Sequence, residues 1–189
     1  ATSVPVDSAT PLRSGQQVMV GSEKMTISSI SSNTLTVSRG VGDTTAATHS
    51  DGASVLLFPV VDTKIKKQGA ASNQIIIPVG ASADQIVTDS IASKDISAYD
   101  YIEFWVRSTV PTSSANLKLH LDNGTVTGDN NDLESLDIPA LSADTWTFVR
   151  VQLDNPESDT AIISVGLVYA ADLGACTIWL DDISAVKND

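Results

Sequence analysis

The chain has 189 residues, with 23 Asp and Glu against 11 Lys and Arg, for a formal net charge of −12; 42% of it is hydrophobic and 18% charged. That composition suits a folded chain rather than a disordered one, and the acidic surplus repels nucleic-acid phosphate and anionic lipid. The single cysteine, Cys176, excludes an intrachain disulfide, so an apolar core must carry the fold.

Short apolar-alternating runs dominate from the start, and helical periodicity is almost absent. Residues 18–20, 25–30, 34–37 and 54–58 predict about four strands before Pro59, with Gly21-Ser22 as a tight turn after the first. A short helical turn is predicted over 45–49. Lys64, Lys66 and Lys67 read as an exposed strand edge. Beyond Pro59, runs at 74–77, 101–107, 116–121, 147–153, 161–169 and 177–186 predict a larger second set. Loops rich in Ser, Gly, Asn and Asp separate them, and Pro111, Pro139 and Pro156 punctuate them. The expected class is therefore all-β: a small N-terminal β-barrel-like module over 1–58, then an antiparallel β-sandwich over 59–189. No apolar stretch reaches membrane-spanning length, and no signal peptide is visible.

A two-residue period assigns the faces. Ile102, Phe104 and Val106 share one side of their run, and Tyr101, Glu103, Trp105 and Arg107 the other. Val149, Val151 and Leu153 point inward, and Ile163, Val165 and Leu167 align. Cys176 sits in an apolar strand-like run, where a thiol packs as a small hydrophobe.

Residues 11–58 resemble a small β module of tailed-phage structural proteins. The resemblance lies in residues 11–15, 21–25, 33–40 and 44–49, closing with His49 and Gly52. It implies a virion role. Arg39 and His49 are candidates for function or for tying down the loop between them by hydrogen bonds. Residues 60–189 resemble the jelly-roll carbohydrate-binding modules, also called galactose-binding-like domains. Residues 67–72, 101–108, 145–149 and 178–183 carry that likeness.

The second resemblance implies a calcium ion held by a carboxylate of the last strand and a ligand from the first. Gln68, Asp181 and Asp182 occupy those places. The alternative for the aspartates is capping of backbone N–H groups between the sheets. Tyr101 and Trp105 are candidates for a sugar-stacking platform or for rings packed under a loop or neighbouring subunit. Asp129 and Asp132 lie in the longest polar stretch, 122–134, which reads as a binding loop or a mobile surface loop. Asp122 and Glu134 bracket it, and paired carboxylates there could also serve glycoside hydrolysis. No nucleotide loop, zinc spacing or nucleophile elbow appears, and no base–nucleophile pair is evident.

These readings lead to a non-enzymatic virion protein on the phage head surface, a capsid decoration or cement protein. Its expected partners are capsid or other virion proteins and copies of itself, a trimer fitting a symmetric lattice. The alternative is a carbohydrate-binding accessory module, of a head fibre or tail, for adsorption to the host surface. Glycan is then the partner, Ca2+ the only cofactor expected in either case, and nucleic acid and membrane are excluded.

Overall fold

A computed structural model describes residues 2–7, 9, 12, 14–42, 44–53, 55–77, 85–123 and 133–188. The N-terminal strands are β1 (Ser3–Pro5), β2 (Gln17–Val20), β3 (Glu23–Ser31), β4 (Thr34–Arg39) and β5 (Val55–Phe58). Then follow β6 (Val60–Asp62), β7 (Ser72–Ile77), β8 (Gln85–Lys94), β9 (Tyr101–Ser108) and β10 (Leu117–Asp122). The chain closes with β11 (Glu134–Asp137), β12 (Thr147–Gln152), β13 (Ile162–Tyr169) and β14 (Cys176–Val186). One 3₁₀ turn, Pro156–Ser158, is the sole helical element among the described residues, and no helix there is long and apolar enough to cross a membrane.

The protein is an all-β antiparallel sandwich. One sheet has nine strands in the order β1-β4-β3-β2-β5-β8-β13-β10-β11, and the other has five, β12-β9-β14-β7-β6. The N-terminal strands join the first sheet through a parallel pairing of Leu57 with Val87. The chain crosses to the second sheet at Pro59, which donates no ladder hydrogen bond. A continuous buried cluster runs from Val18, Met25, Ile27 and Leu35 to Phe104, Leu119, Leu167 and Ile178. Burying a side chain the size of Phe104, which is fully enclosed, stabilises by roughly 1.5–3 kcal/mol.

Turn chemistry explains the hairpins. Gly21, at φ 58, closes β2 onto β3, as the sequence predicts. Ser32 takes φ 51 at the β3–β4 turn, and the neighbouring Asn33 fastens the N-terminal segment by donating to the Asp7 carbonyl at 2.9 Å.

The structure corrects several expectations. Residues 45–49 form no helical turn; their irregular path follows polar anchors at Glu23. Lys64, Lys66 and Lys67 are not on a strand but in the β6–β7 connection, where Asp62 accepts the Lys64 and Ile65 N–H groups and turns the chain. Gln68 lies in the same connection, because Gly69 at φ 60 breaks the extension until Ser72. Ile162, not Ile163, is the deeply buried residue at the head of β13, where the pairing with β8 shifts register between Ile162 and Ser164. Strands β1, β6, β8 and β11 have no counterpart in the predicted runs.

Candidate functional site

The outer face of the five-stranded sheet holds the candidate site. Burying Ile102, Phe104 and Val106 of β9 forces Tyr101, Glu103, Trp105 and Arg107 outward. Pairing then fills that face. On β12, Phe148 stands opposite Trp105, Arg150 opposite Glu103 and Gln152 opposite Tyr101. On β14, Asp181 stands opposite Trp105, and Trp179 opposite Arg107.

The result is an aromatic strip interleaved with charge. The Trp105 and Phe148 rings meet at 5.3 Å between centroids, tilted by 57°. Phe148 remains 49% exposed. Along β9, Tyr101 and Trp105 are about 13 Å apart, the reach of a short chain-like ligand rather than a single ring. The Lys67 ammonium lies 4.1 Å from the Trp105 centroid, and the Arg150 guanidinium 4.2 Å from that of Tyr101.

Trp179 plays another part. It is buried, and its indole N–H donates to Asp62 Oδ2 at 2.9 Å. That donor, with the Lys64 backbone N–H next, holds the Asp62 carboxyl below the usual carboxylate range. Arg107 spans the ring of Trp179 and Asp144, donating through Nη2 to Oδ1 at 2.9 Å. Arg150 Nη1 and Glu103 Oε1 are 3.4 Å apart. Flat apolar rings beside fixed donors and acceptors suit a ligand with apolar faces and hydroxylated edges.

Gln68, Asp181 and Asp182 come together at one margin of this face. Asp181 Oδ2 accepts the Lys67 and Gln68 backbone N–H groups at 2.6 and 3.0 Å, and Gln68 Nε2 donates to Asp182 Oδ2 at 2.7 Å. Asp182 takes φ 53 where the β14 pairing slips between Asp181 and Ser184. A calcium ion needs six to eight oxygens turned toward it. Here N–H donors approach both carboxylates, so the residues as placed do not fit the cation; they fit the capping alternative. Among the described residues no group of three His, Cys, Asp or Glu could hold a metal.

Asp129 and Asp132 lie outside the described residues. Of the carboxylates bracketing them, Glu134 pairs with Leu121 and shares its face, so the next residue, Asp122, points to the opposite face. Glu134 accepts the Asp154 and Asn155 N–H groups at 2.8 Å each, and Asp122 accepts that of Asn123. The two do not converge on a shared substrate position. Cys176 is buried, and burial first, then Asp172, pushes its thiol up to about 11, far from a nucleophile's range.

Arg39 and His49 have a structural explanation. Both engage the fully buried Glu23: Arg39 through Nε at 2.9 Å and also through Nη2, His49 through Nε2 at 2.8 Å. The Gly40 and Ala47 N–H groups add to the same carboxylate, which these donors, Arg39 foremost, lower to about 2. Arg39 also donates to the Ala47 carbonyl. The cluster pins the connection after β4.

A second concavity of about 420 Å³ opens between the sheets, lined by Ile75, Ile96, Tyr99, Val165, Leu167 and Leu180 among others. Lys94 and Asp95 alone bring charge to it among its lining residues.

No protein-family model and no curated protein matches the chain. Solved structures do. The family 11 carbohydrate-binding module from Clostridium thermocellum, in complex with a β-1,3-1,4-mixed-linked tetrasaccharide, is 16% identical. That alignment covers 68% of this chain and 84% of that one, at a TM-score of 0.43. The family 30 module of a cellulosomal cellulase of Clostridium thermocellum is 11% identical over 100% and 99% of the two chains, at 0.45. A family 43 arabinoxylan arabinofuranohydrolase from Bacillus subtilis is 12% identical over 69% of this chain and 24% of its own, at 0.46. They are similar to this chain in the β-sandwich fold alone. None of these comparisons supports the expected virion role.

Proposed function

We propose that the protein is a non-catalytic carbohydrate-binding module whose site is the outer face of the five-stranded sheet. The observation that carries this reading is the Trp105–Phe148 pair, two touching rings on a strand face with Phe148 half exposed. A cross-strand aromatic pair stabilises the sheet, and leaving one of its rings half exposed also offers an apolar surface to a ligand. Sugar rings present C–H faces to such rings and hydroxyls to their surroundings. Glu103, Gln152, Arg150 and Asp144 supply acceptors and donors within the same face. Asp144 and Glu103 of the face are paired with guanidinium groups and Asp181 with backbone N–H groups, an arrangement that supports binding rather than cleavage.

Affinity electrophoresis through gels containing mixed-linkage β-glucan, xylan or galactomannan tests the reading. Wild-type protein is retarded by at least one polymer. Trp105→Ala and Phe148→Ala lose at least tenfold in affinity while keeping the wild-type circular dichroism spectrum. Migration of wild type unaffected by these polymers and by a uronate-bearing one would defeat the proposal, as would retention of binding in both variants.

A further inference from the structure

We infer that the face is specific for glycans carrying sparse uronic acids, with Lys67 as the residue that reads the carboxylate. The inference rests on the proposed carbohydrate-binding reading and narrows its ligand class.

Three observations point to it. The first is the state of each cation on the face. Arg107 is engaged with Asp144 and Arg150 with Glu103. The Lys67 ammonium instead lies against the Trp105 ring, and no carboxylate reaches it within ion-pair distance among the described residues. A strongly hydrated ammonium held against a ring is a charge still open to an anion.

The second is anchoring. The Lys67 backbone N–H donates to Asp181 Oδ2 at 2.6 Å, and that of Gln68 to the same oxygen at 3.0 Å. Asp181 sits directly opposite Trp105 in the sheet. The lysine is therefore tied by its main chain to the strand beside the platform, while its exposed side chain lies over the ring. Moving off Trp105 toward a bound carboxylate would expose the ring face for stacking in the same step.

The third is charge placement. The chain carries −12 overall, whereas on this sheet and its β6–β7 connection Lys64, Lys66, Lys67, Arg107 and Arg150 offset Asp62, Glu103, Asp144, Asp181 and Asp182, leaving the face near neutral. A densely charged polyanion would be repelled by the chain as a whole. A mostly neutral polymer bearing occasional uronates would meet the local cation without that penalty. The carboxyl group of a uronic acid projects from the ring edge. A sugar stacked on Phe148 would hold its edge substituents within the same strip as Trp105 and the Lys67 ammonium over it.

The test compares glucuronoxylan with the same xylan after carboxyl reduction, by isothermal titration calorimetry at low salt and at 0.5 M NaCl. A single exposed ion pair predicts about two- to fivefold tighter binding of the acidic polymer at low salt, shrinking toward equality at high salt. Lys67→Met removes the preference, and Trp105→Ala weakens both polymers. Equal affinity of wild type for the two polymers overturns the inference and leaves the carbohydrate-binding reading standing. A preference retained in Lys67→Met overturns the role of Lys67. Failure to bind either of these or any neutral glycan overturns the underlying reading as well.

Discussion

Asp159 should make the protein lose stability as pH rises toward neutrality, contrary to the usual behaviour of a buried carboxylate with donors. Its side chain is fully enclosed after the 3₁₀ turn, and neither oxygen has a donor among the described residues. The nearest polar partner is Glu134, itself 1% exposed and already holding two backbone N–H groups. A carboxyl buried near the charge of Glu134 ionises at a cost, so Asp159 keeps its proton well above the ordinary carboxyl range. Burial first, then the charge of Glu134 and, more weakly, that of Glu157, raise it to about 7. A group raised in the folded state holds more protons there than in the unfolded chain. Stability is therefore full below the ordinary carboxyl value of 3.8 and falls until pH passes about 7, then levels. The full shift corresponds to roughly 4 kcal/mol. Water reaching the end of the sandwich and local relaxation screen the pair, so about 1–2 kcal/mol is expected. For a chain of this length that is about 3–6 °C in melting temperature. Urea unfolding of wild type and Asp159→Asn at pH 4 and pH 8 isolates the effect, because other titrations cancel between them. The Asn amide donates to Glu134 as the acid did, so the two proteins should match at pH 4 and the variant should be more stable at pH 8. Parallel profiles for the two proteins would refute a raised Asp159 carboxyl.

Glu23 runs the other way. Its carboxyl is lowered to about 2, so its contribution is present above the unfolded value of 4.5 and is lost as pH falls toward 2. Glu23→Gln keeps one oxygen for the donors but removes the charge facing Arg39; a loss of about 2 kcal/mol in urea unfolding at pH 7 is expected, after discounting for screening. Gly40→Ala should cost about 1–3 kcal/mol in the same assay, since the residue sits at φ 61 and a methyl group would stand 3.0 Å from the Ala46 nitrogen. Chelation by EDTA should leave the melting temperature unchanged, because N–H donors already hold Asp181 and Asp182; a drop of several degrees would restore a cation there.

How far a sequence shows such a site depends on which physical rule places each residue. The two-residue period turns Tyr101 and Trp105 outward from local pattern alone, because Ile102, Phe104 and Val106 admit only one burial. The same rule marks Phe148: it falls on the solvent side of a run whose buried positions are Val149 and Leu153, an aromatic where a polar residue is expected. That misplaced ring was the legible signal for the platform, and it is absent from the predicted site. The pairing of Phe148 with Trp105 was not legible, because it comes from antiparallel register between strands some forty residues apart. Strand β8 escaped for a different reason: its polar Thr, Asp and Ser residues break the apolar alternation, and its pairing with β13 makes it a strand. Asp181 shows the sharpest limit. Sequence places a carboxylate on the last strand and Gln68 near the first, which fits either a cation or a cap. The choice turns on whether oxygens or N–H groups of the β6–β7 connection face it, and the Lys67 and Gln68 N–H groups point at the carboxylate. The bend that closes the margin to a metal also brings Lys67 onto the Trp105 ring, so the anchoring of this connection and the ligand preference of the face should change together when Asp181 is replaced.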